Sequence, residues 1–508
     1  LYADTIIGDL KIREVTAKVK DKRDQDYLRV YGLVPLSKTN PKKDVLSRYE
    51  YIQQFKKESR EFGSMKQTSE ALAIRVALEN LARNAGYPDP MRLTWAMETE
   101  QINSILGQET NVSLEETTIS LLIDSAGKAE VIAQKDGKVL KSIPDKYKKH
   151  ADVLRLLSHR KVMREQFSRS RKGLEEAMIR GDWFTNEELQ NLFKHPIISK
   201  HLEKLVFITS DKKVGFYDAG ALVLSDREPA ILIDNDNIRI AHCYDFYELK
   251  VWTILQRFCF DQKMVQPFKQ IFRELYVPTV DELAQESVSR RYAGHQVHPK
   301  QTLALLKGRG WKVDYEEGLQ KVFHKEGFQV KLYAMADWFS PADVESPTLE
   351  TIEFVSLKEY KNVAFEKIPP RIFSEVMRDV DLVVSVAHVG GVDPEMSHSS
   401  IEMRSVLLTE TLRLFKLANV EIKGNHAIIE GEMAKYSIHL GSAIAHQMPG
   451  KYLSILPVHS QHRGRLFLPF ADDDPKTAEL ISKVLLLAKD TQIQDPTILS
   501  QIDRSLAN

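Results

Sequence analysis

Histidine side chains are concentrated near the C-terminus of the sequence. Seven of the 15 histidines lie between residues 388 and 462. Imidazole groups transfer protons near neutral pH and bind metal ions. Four of them are predicted at strand ends or in loops, where a fold presents functional groups, so they are the candidate catalytic acids and bases: His388, His439, His459 and His462. The alternative is that they are ordinary surface and core histidines, and no spacing among them is typical of a metal site.

Arginine and serine residues beside these histidines predict an anion-binding pocket. Arg463 and Arg465 flank a glycine directly after His462, and Ser442 follows His439 by three residues. Guanidinium groups match the geometry of phosphate and carboxylate groups. The pattern therefore predicts a small anionic ligand, but a charged turn that leads into a strand at 466–470 explains the arginines equally well.

A second charged feature is the strongly basic stretch 138–172, which has 12 Lys or Arg residues against three acidic ones. Such an excess is typical of a surface that contacts the phosphate backbone of nucleic acid. The candidate nucleic-acid contacts are Lys146, Lys148, Lys149, Arg160, Arg164 and Arg171. The alternatives are a solvated helix face or a surface that binds an acidic protein partner.

One pattern at the start of a C-terminal helix predicts structure rather than chemistry. Ser399 and Glu402 have the spacing of a capping box at the start of a helix over 399–416. Glu402 would then face the same end of this helix as His398. A second helix start is predicted at Asp474, because an N-cap aspartate precedes Pro475 at the first helical position.

Several familiar chemical motifs are absent from the sequence. It contains no Gly-rich phosphate loop followed by Lys-Ser or Lys-Thr, no GxGxxG, and no HExxH, CxxC or GxSxG. Zinc fingers and nucleotide hydrolysis on a phosphate loop are therefore not expected, whereas a site of a different design is still open. Neither a cofactor nor an oligomeric state follows from these residues.

The overall composition indicates a folded cytoplasmic chain. Lysine and arginine total 71, as do aspartate and glutamate, so no net field attracts the chain to nucleic acid or a membrane. Only Cys243 and Cys259 are present in 508 residues, which fits a reducing compartment. No apolar run approaches the ~18 to 20 residues that a spanning helix needs, so no membrane partner is expected. No signal peptide is recognisable, and the first residue, Leu1, fits a fragment of a longer protein.

The N-terminal third is predicted to combine helices with small strand groups. Alternating apolar residues predict a strand pair at 8–19 and 28–36. Helical patterns follow at 67–85 and from Asp89, where Pro90 takes the first helical position. Three strands at 117–123, 128–134 and 138–143 form a predicted meander, with turns at Ser125–Gly127 and at Asp136–Gly137.

Length and composition predict a multidomain α+β protein. The chain is too long for one ordinary core, and a Pro- and acid-rich stretch at 340–347 separates two differently composed segments. We expect a helical region with flanking strands at 1–145, a mixed region with the basic helix at 146–345, and a histidine-rich mixed α/β module at 346–508. In this last module an apolar strand is predicted at 382–388.

Several stretches resemble a large bacterial family that includes the molybdate metabolism regulator (MolR-like proteins). They are LARNAGYPDPMRLTW at 81–95, GKVLKS at 137–142, LEEAM at 174–178, QPF at 266–268 and GRGW at 308–311. The resemblance covers about residues 60 to 315 and implies no catalytic residues. Some members carry a WGR domain, which also occurs in poly-ADP-ribose polymerases and implies a nucleic-acid context, but this chain has no clear Trp-Gly-Arg.

Two functional hypotheses follow from the sequence. The first is a cytoplasmic regulatory or interaction protein whose basic region contacts nucleic acid or an acidic partner and whose C-terminal module binds a small anion. The second is a hydrolase or nuclease that acts on a phosphorylated substrate, with one or two of the four histidines as acid or base and Arg463 steadying the anion. Convergence of the histidines and Arg463 in one pocket would favour the second.

Overall fold

The computed structural model describes residues 1–224, 228–233, 236–285, 287–314, 318–335, 346–387, 398–455 and 467–503, with only the backbone of Ser64 and Asp314. Within these residues the protein is an α+β protein with four antiparallel sheets, as predicted. The chain folds into two compact units. The first unit comprises Leu1–Leu174, Phe184–Glu203 and Leu232–Asp236, and the second comprises Glu175–Trp183, Lys204–Ile231 and Asn237–Asn508.

The first unit begins with a group of six helices. They are Tyr2–Ile7, Ile12–Lys22, Gln25–Tyr31, Pro41–Ser59, Ser64–Asn84 and Pro90–Leu106. Two of these starts follow directly from the sequence, since Asn40 and Asp89 each accept a hydrogen bond from a backbone amide of the first turn and each precedes a proline. The helix predicted at 67–85 and the helix start predicted at Asp89 are confirmed.

The strand pair predicted at 8–19 and 28–36 is wrong, because these residues form the second and third helices. Val15 and Val19 are buried and stand four residues apart, so they lie on one face of a helix. Leu28 and Tyr31, three residues apart, are buried in the same way. Some of the apolar residues on these helix faces also stand two positions apart in the sequence. This alternation led to the incorrect prediction of strands.

The sheet of the first unit confirms the predicted meander, except that its third strand ends at Val139 rather than at residue 143, and adds one edge strand. Its antiparallel strands, in order, are Asn111–Leu114, Thr117–Ile123, Ala129–Lys135 and Lys138–Val139. Asp136 and Gly137 both have positive φ, at 49° and 74°, as a two-residue hairpin turn requires. The unit continues with the one-turn 3₁₀ helix Asp145–Tyr147, the basic helix Ala151–Arg180 up to Leu174, the strand Phe184–Thr185, and the helices Asn186–Phe193 and Ile198–Leu202.

The described residues of the second unit form three sheets. The first has the strand order Asn237–Ile240, Val206–Thr209, Val214–Asp218, Ala221–Val223 and Ala230–Ile231. The second has the order Val288–Ser289, Thr348–Ser356, Phe328–Met335, Gly318–Phe323 and Lys312–Asp314. The third, near the C-terminus, has the order Val420–Lys423, His426–Glu430, Lys435–His439, Ala445–Gln447 and Lys451–Leu453.

Helices pack against these sheets in two buried cores. Among the described residues they are Cys243–Glu248, Trp252–Asp261, Val280–Ala284, Pro299–Lys307, Pro370–Ala387, His398–Phe415, Pro475–Leu487 and Pro496–Leu499, with 3₁₀ turns at Phe365–Lys367 and Asp490–Gln492. The predicted helix at 399–416 and the predicted helix start at Asp474 are confirmed. The three-part division at residues 145 and 345 stays a prediction.

The strand predicted at 382–388 is wrong over its described part, because residues 382–387 form the last turns of the helix Pro370–Ala387. Val376, Val380, Val383 and Ala387 are fully buried at helical spacing. The β-branched valines favour a strand locally, but packing of this helix face in the core overrides that preference. His388 lies outside the described residues.

A buried polar segment connects the strands and helices of the second unit. Gln270 accepts a hydrogen bond from the amide of Val206 at 3.0 Å, and its side-chain amide donates to the carbonyls of Val206 and Ala241, each at 2.8 Å. Arg273 is 0 % exposed and donates to both carboxylate oxygens of Glu375, at 2.5 and 2.7 Å. Burial alone would raise the pKa of Glu375, but the guanidinium group holds this pKa well below its usual range.

A buried histidine makes the stability of the first unit depend on pH. His195 is 1 % exposed, and its Nδ1 accepts hydrogen bonds from the amides of Ile197 and Ile198, at 3.0 and 3.2 Å. Its Nε2 has no partner among the described residues. Burial therefore lowers the pKa of His195 to about 4, so the folded state holds the neutral ring.

Because the folded pKa of His195 lies below its unfolded value, this ring destabilises the folded state as pH falls from about 6.5 towards 4. We expect the wild type to lose roughly 2 to 3 kcal/mol more unfolding free energy than His195→Asn between pH 6.5 and 4.5. Asparagine retains an acceptor for the two amides and does not titrate. Urea unfolding of both chains at several pH values measures the difference, and parallel pH profiles would contradict this assignment.

Candidate functional site

Most residues of the predicted histidine and arginine site lie outside the described part of the chain. These residues are His388, His459, His462, Arg463 and Arg465. Their convergence in one pocket therefore stays a prediction. His439 and Ser442 are described, and their contacts show which polar groups lie at this end of the C-terminal sheet.

His439 ends the strand Lys435–His439, and its ring caps the turn that follows. Nδ1 accepts hydrogen bonds from the amides of Gly441 and Ser442, both at 3.2 Å, and the Ser442 hydroxyl lies 3.3 Å from the same nitrogen. An Nδ1 that accepts from two amides leaves the proton of the neutral ring on Nε2. The contact between the histidine and the serine thus belongs to a local turn motif.

Three cations cover the backbone carbonyls of the turn 440–443. Arg404 Nη1 donates to the first two, at 3.1 and 2.6 Å. Lys483 Nζ donates to the carbonyl of residue 443 at 2.9 Å, and Lys476 Nζ lies 3.5 Å from that of residue 442. Glu479 pairs with both lysines, at 2.7 and 3.0 Å. These positive charges therefore stabilise the turn.

His426 stands beside His439 across the sheet. The two residues are register partners on adjacent antiparallel strands, and their rings meet edge to face with centroids 4.9 Å apart. Just before His426, the carbonyl of Asn425 accepts a hydrogen bond from the amide of Leu440 at 2.8 Å. The hairpin turn Gly424–Asn425 is thereby fixed next to the histidine pair.

That hairpin turn forms one wall of a cleft of about 700 Å³ in the second unit. The other walls are the helix Trp252–Asp261 and the start of the helix His398–Phe415. The cleft is lined by Tyr247, Trp252, Thr253, Gln256, Leu275, Val277, His398, Ser399, Ile401, Glu402, Met403, Ser405, Val406, Gly424 and Asn425. A volume of this size is typical of sites for small organic ligands.

Polar side chains at the start of the helix His398–Phe415 face this cleft. His398 Nε2 lies 3.1 Å from a carboxylate oxygen of Glu402, one turn further along. The sequence had placed these two groups at the same end of the helix, and the structure confirms this. Ser399 donates its hydroxyl proton to the carbonyl of Leu275 at 2.8 Å, so it ties the helix start to another residue that lines the cleft.

Two aromatic side chains, together with aliphatic ones, give the cleft its apolar surface. Trp252 is held in place because its indole N–H donates to the carbonyl of Ile271 at 2.5 Å. Tyr247 is 58 % exposed, so much of its ring is accessible to a ligand. Neither aromatic residue nor Asn425 was predicted as a site residue from the sequence, although the aromatic stretch 244–252 is a signal that could have identified this wall.

A buried cysteine, histidine and glutamate resemble a catalytic arrangement but are not accessible. His242 Nε2 lies 2.9 Å from a carboxylate oxygen of Glu375, and the sulfur of Cys243 lies 3.8 Å from the imidazole ring. Burial raises the pKa of the Cys243 thiol and lowers the pKa of His242. A thiol that stays protonated and has no exposed surface cannot act as a nucleophile, so the arrangement is structural.

The predicted nucleic-acid contacts are divided between paired and unpaired cations. Three of the six form ion pairs within the first unit. The pairs are Lys146–Glu115, Lys148–Asp145 at 2.6 Å and Arg164–Glu130 at 3.6 Å. Lys149 and Arg160 have no acidic partner among the residues the structure describes, whereas Arg171 takes part in a further interaction. The number of cations open to phosphate is therefore smaller than the sequence indicated.

The described part of the chain contains neither a membrane-spanning helix nor a metal-binding cluster. No helix in this part of the chain is both long and apolar enough to cross a membrane. Within the same residues, no group of three or more His, Cys, Asp or Glu side chains could hold a metal ion.

Comparison with known proteins identifies three segments of unknown function. Residues 1–97 match a family of unknown function (DUF5724), residues 137–311 match a domain of unknown function (DUF4132), and residues 401–502 match another (DUF7737). No curated protein and no solved structure matches the chain. The chain is thus a multidomain protein built from domains of unknown function, and the link to the molybdate metabolism regulator is not confirmed.

Proposed function

We propose that the chain is a cytoplasmic regulatory or interaction protein whose C-terminal module binds a small organic ligand in the 700 Å³ cleft. The observation that carries this proposal is the lining, which combines the aromatic rings of Trp252 and Tyr247 with hydrogen-bonding side chains in one concave surface. Apolar walls with a few converging polar groups are the usual design of small-molecule sites.

The charge of the cleft indicates which ligands fit. Among its described lining residues, Glu402 is the one carboxylate and His398 is the one ionisable base, and the two are paired. Gln256 and Asn425 add neutral donors and acceptors. A ring compound that stacks on Tyr247 and is neutral or cationic therefore suits the cleft better than an anion.

The hydrolase or nuclease remains the alternative proposal for this module. It requires at least one of the four predicted histidines to be free to exchange a proton with substrate. In His439 the Nδ1 atom accepts from two backbone amides, so only Nε2 could serve as the acid or base. The anionic ligand predicted for Ser442, Arg463 and Arg465 belongs to this proposal as well.

We expect Tyr247→Ala to weaken ligand binding about fivefold or more, because it removes the exposed stacking surface of the cleft. The probe is a set of neutral, cationic and anionic heteroaromatic fragments, and ligand-observed NMR on the full chain is the measurement. Tyr244→Ala is the matched control, since Tyr244 lies on the same short helix, with its ring 6.4 Å from that of Tyr247, but does not line the cleft.

The control should retain the wild-type affinity within about twofold, and fragments that bind should be neutral or cationic. The melting temperature of both variants is recorded to show that they are folded. If no fragment binds the wild type, if both tyrosine variants lose binding equally, or if only anions bind, the proposed ligand class is wrong.

In the basic stretch 138–172, only the cations without an acidic partner support binding to a second, negatively charged molecule. We propose that Lys149 and Arg160 contribute to contact with nucleic acid or with an acidic protein partner. Charge reversal of both should then reduce binding of a short DNA duplex at least about tenfold at low salt, and wild-type binding should weaken steeply as salt rises.

The matched control for this test is the double variant Lys300→Glu with Lys307→Glu. It makes the same change in net charge at two exposed lysines of another helix. Binding is measured by fluorescence anisotropy. If the wild type does not bind the duplex at low salt, the proposed contact with nucleic acid is wrong and the acidic protein partner is left. If the control variant loses as much affinity as the test variant, binding depends only on net charge.

A further inference from the structure

A second cleft, in the first unit, has a strongly positive lining. It has a volume of about 720 Å³ and lies between the residues that precede two helices, Ile12–Lys22 and Pro41–Ser59. Its charged lining residues are Lys11, Lys38, Lys43, Arg48 and Asp44, so four cations face one acid. The excess is three positive charges in one concave surface.

Asp44, the single acidic residue in the described lining of this cleft, already accepts hydrogen bonds from other groups of the protein. Asp44 accepts two hydrogen bonds from the guanidinium group of Arg48, at 2.9 and 2.8 Å, and a third from the amide of Ser37 at 2.8 Å. Arg48 is 2 % exposed and also donates to the carbonyls of Val34 and Pro35. The opposite charges of Arg48 and Asp44 cancel, and their hydrogen bonds hold both side chains in place. The excess positive charge of the cleft therefore comes from the three lysines.

The lysine ammonium groups are open to a ligand. Lys38 and Lys43 are exposed, and neither has an acidic partner among the described residues. Lys11 donates one proton to the carbonyl of Gly8 at 2.8 Å and retains two further donors. Like charges gathered in a cleft raise the local concentration of anions, and a bound anion would relieve their repulsion.

We propose that this cleft binds a small polyanion, either an organic phosphate or a polycarboxylate, held by Lys11, Lys38 and Lys43. Flexible ammonium groups act as point charges that adapt to either kind of group. The site is separate from the cleft of the C-terminal module, and its existence does not depend on the ligand of that module. Lys11 lies 27 residues before Lys38, so no single local motif marks the site.

The test uses inorganic pyrophosphate and citrate as probes, with isothermal titration calorimetry on the full chain at low ionic strength. We expect both probes to bind the wild type, and the double variant Lys38→Gln with Lys43→Gln to weaken binding at least about tenfold. The double variant Lys42→Gln with Lys57→Gln is the matched control, because it removes the same number of charges from exposed lysines of the helix Pro41–Ser59 that do not line the cleft.

The control should retain binding within about twofold. Binding of one probe alone supports the site and identifies its chemistry as phosphate or carboxylate. Absence of binding to the wild type, or an equal loss in the control, would overturn the proposal. A short DNA duplex is the third probe, and if the double variant weakens duplex binding more than pyrophosphate binding, the lysines belong to a nucleic-acid surface instead.

Discussion

The ion pair between Arg273 and Glu375 is the constraint on which the second unit depends. Both side chains are almost completely buried, and His242 adds a further hydrogen bond to the same carboxylate. An unpaired charge at this depth would cost several kcal/mol, so the three residues must meet with good geometry. They come from three distant stretches of the chain, and their meeting therefore brings those stretches into one core.

The segment that carries Arg273 also makes hydrogen bonds with other parts of the second unit. In the buried segment that leads to Arg273, the Gln270 side chain makes hydrogen bonds with the backbone amide and carbonyl of Val206, at the start of the strand Val206–Thr209. Gln266 of the same segment exchanges backbone hydrogen bonds with the chain at 469 and 471, near the start of the C-terminal helix. The carbonyl of Ile271 fixes Trp252 at the cleft. The cleft walls are thus held on a scaffold that the ion pair organises.

Sequence reasoning succeeded where the determinants of structure are local. Asp89 and Asp474 each cap a helix that begins with proline, and the Asp136–Gly137 turn fixes the register of its hairpin. It failed at 8–19, 28–36 and 382–387, because packing of a helix face outweighs local strand preference. The ion pair and both clefts could not be predicted, since Arg273 and Glu375 are 102 residues apart and pairing over that distance leaves no local pattern.

Hydrogen exchange on the full chain tests the organising role of this ion pair most directly, with Arg273→Met and the double variant Arg273→Met with Glu375→Gln. Glutamine keeps an acceptor for His242 and removes the fully buried charge at position 375. Glu175, which also accepts a hydrogen bond from Arg273 at 2.9 Å, is 24 % exposed and so keeps contact with solvent in both variants. We expect the single variant to accelerate exchange together at 237–240, 266–276 and 427–430, and the double variant to restore much of the protection. Acceleration confined to residues next to 273, or a double variant no better than the single, would contradict the account.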